Sequence, residues 1–104
     1  MSLKVLKFGG SSLADAEHFR LVADIIKSDP SRRYVVASAP GKRMSGDTKI
    51  TDLLYKCHEL ATDEEDITEI FEEIKSRYNS IIADLNLDMD LTETFEKIRL
   101  SVLH

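Results

Sequence analysis

The period of the apolar positions changes along the chain, and each change marks an element. Residues 3–8 (LKVLKF) read as a short strand that stops at Gly9-Gly10. Asp15 then stands where a helix N-cap belongs. Phe19, Val22, Ala23 and Ile26 follow at the i, i+3, i+4, i+7 spacing of one helix face. That helix is expected to end near Ser28, because Pro30 disfavours helical geometry at Asp29. Residues 34–37 (YVVA) form a β-branched run suited to a buried strand. Strand, helix and strand with short links make a βαβ unit, with parallel strands and a right-handed crossover.

The remainder reads as loop and helix. Residues 39–48 (APGKRMSGDT) form a loop containing Pro40, Gly41 and Gly46, with Lys42 and Arg43 as its paired cations. A helix is expected over about 49–61, with Ile50, Leu53, Leu54, Cys57 and Leu60 on one side. Thr62 with Glu65 has the form of a capping box for the next helix. There Ile67, Ile70, Phe71, Ile74, Tyr78, Ile81, Ile82 and Leu85 give a core-facing stripe, with acidic residues opposite. Residues 86–88 read as a turn. Asp90 with Glu93 reads as another helix start, ahead of Leu91, Phe95, Ile98 and Val102. No internal repeat or low-complexity tract is read. The fold class is α/β, a βαβ unit with parallel strands followed by helices. Parallel sheets are buried on both faces, and a pair of strands seldom stands alone. No third strand follows Ala37, so the chain is expected to be cut from a larger domain.

Composition narrows the function classes. The chain has 104 residues, 42% apolar and 32% charged, which suits a soluble globular domain. Nineteen acidic against 14 basic residues give a net charge of -5 and argue against a nucleic-acid partner. The single Cys57 excludes an internal disulfide and any Cys-rich zinc site, and suits a reducing cytosol. No apolar run approaches the ~20 residues of a membrane helix, and Lys4 and Lys7 interrupt any signal-peptide core. The expectation is a cytoplasmic protein with no membrane partner. His18, His58 and His104 lack ligand spacing with Cys57, so no metal site is expected. Charge is uneven: residues 1–56 hold ten Lys/Arg against six Asp/Glu, and residues 57–104 hold four against thirteen. A site for an anionic ligand therefore belongs in the first half.

The chemically loaded segment is Lys7-Phe8-Gly9-Gly10-Ser11-Ser12, at the C-terminal end of the first strand. Ligands of open parallel sheets bind at that end. Paired glycines let backbone N–H groups approach an anion and can supply the positive φ of an anion-binding nest. The helix that follows is expected to add the positive end of its dipole. Lys7 offers a compact cation, and Ser11 and Ser12 offer hydroxyl donors. These parts make a phosphate cradle, although Gly-Gly also suits a plain tight turn. The pattern is neither the P-loop nor the GxGxxG fingerprint.

KFGGSS resembles the KFGG[ST]S signature of the aspartate kinases, within the amino-acid-kinase family. Three further segments agree in order. SLAD resembles the residues after the glycine loop, YVVASAPGKR the family's VVVSA strand end, and ITDLL its V-T-[DN]-L-L helix start. The similarity covers about residues 3–61. It implies a partial αβα sandwich of the carbamate-kinase-like type, with residues 1–104 forming the N-terminal part of the catalytic domain. It implies that Lys7, Phe8, Gly9, Gly10, Ser11 and Ser12 hold ATP, with Lys7 neutralising charge on the transferred phosphoryl group. Ser38 and Thr51 would bind the amino-acid substrate. The implied reaction converts ATP and L-aspartate to ADP and 4-phospho-L-aspartate with Mg2+, in a homo-oligomer. The family draws its remaining aspartate and base contacts from segments beyond residue 104, so the chain alone is expected to be inactive. The alternative is a non-enzymatic module that associates through its helices, with a structural glycine turn.

Overall fold

A computed structural model describes residues 4–103, apart from the side chain of Arg33. Leu3, expected in the first strand, and His104 lie outside the described residues. The elements are β1 (Lys4–Phe8), a 3-10 turn (Gly10–Leu13), α1 (Ala16–Lys27), β2 (Arg32–Ala37), α2 (Ile50–Thr62), α3 (Thr68–Asp84) and α4 (Thr92–Leu103). They divide into two compact units, one ending at Lys49 and one beginning at Ile50.

The first unit is the expected βαβ arrangement. β1 and β2 run parallel, pairing Val5 with Tyr34, Leu6 with Val35, Lys7 with Val36 and Phe8 with Ala37. The Asp15 carboxylate starts α1 by accepting the His18 N–H at 3.0 Å. Asp29 secures the link into β2. Its Oδ1 accepts the Ser31 N–H at 3.0 Å, and its Oδ2 meets Lys4 Nζ at 2.6 Å. The Lys4 ammonium, with the Ser31 donors, holds the Asp29 carboxyl well below the usual carboxylate range. The core is thin: Leu13, Ala14, Ala16 and Val22 are its buried apolar residues. β2 begins two residues earlier than expected and is not buried, with Tyr34 57% and Val36 53% exposed. Side chains alternate across a strand, so these two share a face with Val5 and Lys7, and that face is bare.

The second unit is helical, with α2 packed on α3 and α4. Its core joins Ile50, Leu53 and Cys57 of α2 to Phe71, Ile74 and Ile81 of α3 and Phe95 of α4. The Tyr78 and Phe95 rings meet at 6.1 Å between centroids, tilted by 53°. Burial pushes the Cys57 thiol up, as befits a core position.

Two expectations about this unit are corrected. Thr62 and Glu65 form no capping box, because Thr62 is the last residue of α2 and its Oγ1 donates to the His58 carbonyl. The helix closes instead through Glu64, at φ 58°, with Glu64 N–H bonded to Ala61 O and Glu65 N–H to Leu60 O. This is the paired closure of a Schellman motif. Asp66, two residues ahead of α3, then secures the helix start, its Oδ1 accepting from the Thr68 N–H and hydroxyl. The same device recurs at the next link: Asn86 at φ 60° closes α3, and Asp90 Oδ1 accepts from the Thr92 N–H and hydroxyl. The chain does contain a short internal repeat. DITEIFEEI at 66–74 and DLTETFEKI at 90–98 are identical at six of nine positions, and each opens a helix and supplies a buried Phe.

Candidate functional site

The glycine turn leaves β1 as a run of three anchored peptides. The Ser38 N–H donates to Phe8 O at 3.1 Å, the Ser12 N–H to Gly9 O at 3.1 Å, and the Gly41 N–H to Gly10 O at 2.8 Å. A trans peptide points its C=O and N–H in opposite directions. Tying three successive carbonyls therefore fixes three successive donors, the N–H groups of Gly9, Gly10 and Ser11. Among the described residues none of these three donates to a backbone carbonyl. Such a run of oriented, unspent amides suits an anion.

The glycines serve by size rather than by handedness. No glycine has a positive φ, and Gly9 is extended at φ -75° and ψ 174°, so the left-handed nest expected from the sequence is absent. A Cβ at Gly9 would meet no atom within 4 Å. It would project into open space, where a ligand oxygen could approach the backbone. A Cβ at Gly10 would lie 3.1 Å from Ala39 O and 3.2 Å from Gly41 N. The expected help from a helix dipole is also corrected. α1 starts only at Ala16, and the Asp15 carboxylate already caps its N-terminus by accepting the His18 N–H. Positive character at the turn therefore comes from its own amides and from Lys7.

Lys7 is exposed on β1 beside Val36, and Phe8 and Ser12 are half-buried. Ser11 is exposed. Ser38 is brought to the turn by its own N–H on the Phe8 carbonyl. Thr51 stands exposed on the first turn of α2, in the second unit. Arg43 closes its own loop: Nε and Nη2 reach the two Asp47 carboxylate oxygens at 2.7 and 3.2 Å. That bond holds the guanidinium charged. Lys42 is exposed. Gly41 was legible only as a loop residue, yet it and Pro40 are buried, and Gly41 lies against the Gly10 backbone.

This site lies on an α/β unit whose strand, turn and helix order is shared with known kinases. The chain is 44% identical over 97 residues to aspartokinase 3 of Bacillus subtilis, covering 93% of this chain and 21% of that protein. The aspartate kinase of Clostridium acetobutylicum superposes with a TM-score of 0.95 at 44% identity, over 99% of this chain and 24% of that one. Escherichia coli aspartokinase III, solved with aspartate and ADP, gives 0.71 at 32% identity, over 96% of this chain and 21% of its own. No protein-family model matches the chain. The chain is thus homologous to the aspartokinases, and it spans about a fifth of the length of the relatives it matches.

Proposed function

We propose that residues 1–104 are the N-terminal part of the catalytic domain of an aspartate kinase. The whole protein would transfer the γ-phosphoryl group of ATP to the side-chain carboxylate of L-aspartate. The observation that carries this reading is the anchored turn, which presents the Gly9, Gly10 and Ser11 amides beside an open Gly9 position in a KFGGSS context. In this reading the amides bind phosphoryl oxygens, and Lys7 compensates the charge that develops on the transferred group. Phe8 and Ser12 support the turn, and the Ser11 hydroxyl faces the nucleotide. Ser38 and Thr51 bind L-aspartate. Among the described residues no three His, Cys, Asp or Glu gather as a cation site. Mg2+ would accordingly be held by the nucleotide phosphates together with groups beyond this chain. The product would feed lysine, threonine and methionine synthesis in the cytoplasm, from a homo-oligomer.

The bare face of the sheet supports the same reading, since parallel sheets are normally covered on both sides. The rest of the domain would cover it, and residues 1–104 alone would not turn over. The test is Lys7→Ala in the full-length protein. Loss of a cation of this kind is expected to lower kcat by about a thousandfold, with an unchanged circular dichroism spectrum. Activity retained within a factor of a few would remove Lys7 from the chemistry and the kinase reading with it.

A further inference from the structure

Gly41 is placed to set the direction of the turn's last donor. Its N–H bonds Gly10 O at 2.8 Å, and that bond turns the Ser11 N–H to the opposite side of the peptide. The contact is too close for any side chain. A Cβ at residue 41 would sit 2.7 Å from Gly10 C, 2.9 Å from Gly10 O and 2.9 Å from Ser11 N, all of them backbone atoms that cannot swing aside. The residue is itself buried. Gly46, in the same loop, would meet nothing within 4 Å and has no such constraint.

We propose that Gly41 is a positioning residue: it docks the loop after β2 onto the glycine turn and locks the Gly10–Ser11 peptide with its N–H toward the phosphoryl group. The inference deepens the phosphate-site reading and rests on it. Substituting Gly41 forces the Gly10 carbonyl away and frees the peptide to rotate, so a donor needed in the transition state becomes disordered. Lys7 and the other two amides stay where they are.

Steady-state kinetics of the full-length protein test this. Gly41→Ala is expected to lower kcat by about tenfold or more and to raise the KM for ATP, while Gly46→Ala changes neither by more than about twofold. A merely structural glycine would lower the melting temperature and the active fraction without moving the KM for ATP, and that result overturns the proposal. So does a Gly41→Ala protein with both constants within about twofold of the parent. If Gly41→Ala folds too poorly to assay, an ester in place of the residue 41 amide removes the N–H and adds no bulk. The same loss of kcat then supports the lock, and an unchanged kcat refutes it. Lys7→Ala separates the two levels. If Lys7→Ala is inactive and Gly41→Ala is normal, only the positioning role fails. If Lys7→Ala is active, the phosphate site itself fails.

Discussion

The two units of this chain share stability and chemistry unequally, and in the proposed function the second supplies only Thr51 to the chemistry. The second has Phe71, Ile74, Ile81, Cys57 and Phe95 packed in one core, and both of its interhelical links are closed by the same backbone device. None of its apolar residues has a chemical task in the proposed function. The first unit holds the anchored amides, Lys7 and Ser38, yet its core is little more than Leu13, Val22 and two alanines. Its sheet shows Val5, Tyr34 and Val36 to solvent. Binding groups favour strand ends and loops, where backbone donors can be left unspent, and such places contribute little apolar burial. A unit built this way needs support from elsewhere, and here the proposed remainder of the catalytic domain is that support.

After the Lys7 and Gly41 substitutions, the next largest effect should come from the packed unit. Phe71 is 3% exposed, and Phe71→Ala is expected to cost about 3–5 kcal/mol in urea unfolding. Val36→Ser in the isolated chain should cost under about 1 kcal/mol, because half of that side chain is already in water. Equal losses for the two would erase the contrast between the units. A third measurement sharpens it. The bare sheet face should make the isolated chain self-associate at high micromolar concentration, and placing Lys at both residues 34 and 36 should reverse this. Light scattering that reports a monomer for the parent chain would show that the face needs no cover.

Sequence reading was strong where one residue type has one local job. The Gly-Gly stop after β1, the Asp15 cap, the parallel βαβ order and the apolar face of α2 were all legible. It was weak where the outcome depends on what lies opposite. The run at 34–37 predicts a buried strand correctly as a strand and wrongly as buried, since burial depends on partners outside the unit. Thr62 and Glu65 match a capping pattern, but Glu64 takes the left-handed conformation first and Asp66 is better placed for the next helix. The repeat at 66–74 and 90–98 escaped because its identities are spread among ordinary helix formers, and only the shared cap makes them significant. Gly41 shows no local sign of its task, which exists only once two loops meet.

The smallest expected effect lies at the start of α1, where the His18 Nδ1 and Asp15 Oδ1 atoms are 2.6 Å apart. The bond from Asp15 raises the His18 pKa, and the His18 backbone and ring donors lower that of Asp15. A raised histidine contributes stability in full below its ordinary value of about 6.5, and loses it as pH rises through the higher folded value. A depressed carboxylate contributes above about 3.9 and loses it as pH falls through the lower folded value. The pair is therefore strongest between those limits, in mildly acidic solution. Both side chains are partly exposed, His18 at 45% and Asp15 at 37%, so solvent screens the pair and the effect should appear as fraying of one helix end rather than as loss of the fold. An NMR titration of the His18 ring should show a midpoint above the ordinary value that falls back toward it in Asp15→Asn. An identical midpoint in both proteins would mean that the carboxylate serves the backbone cap alone, and that the first unit gains nothing from this charge.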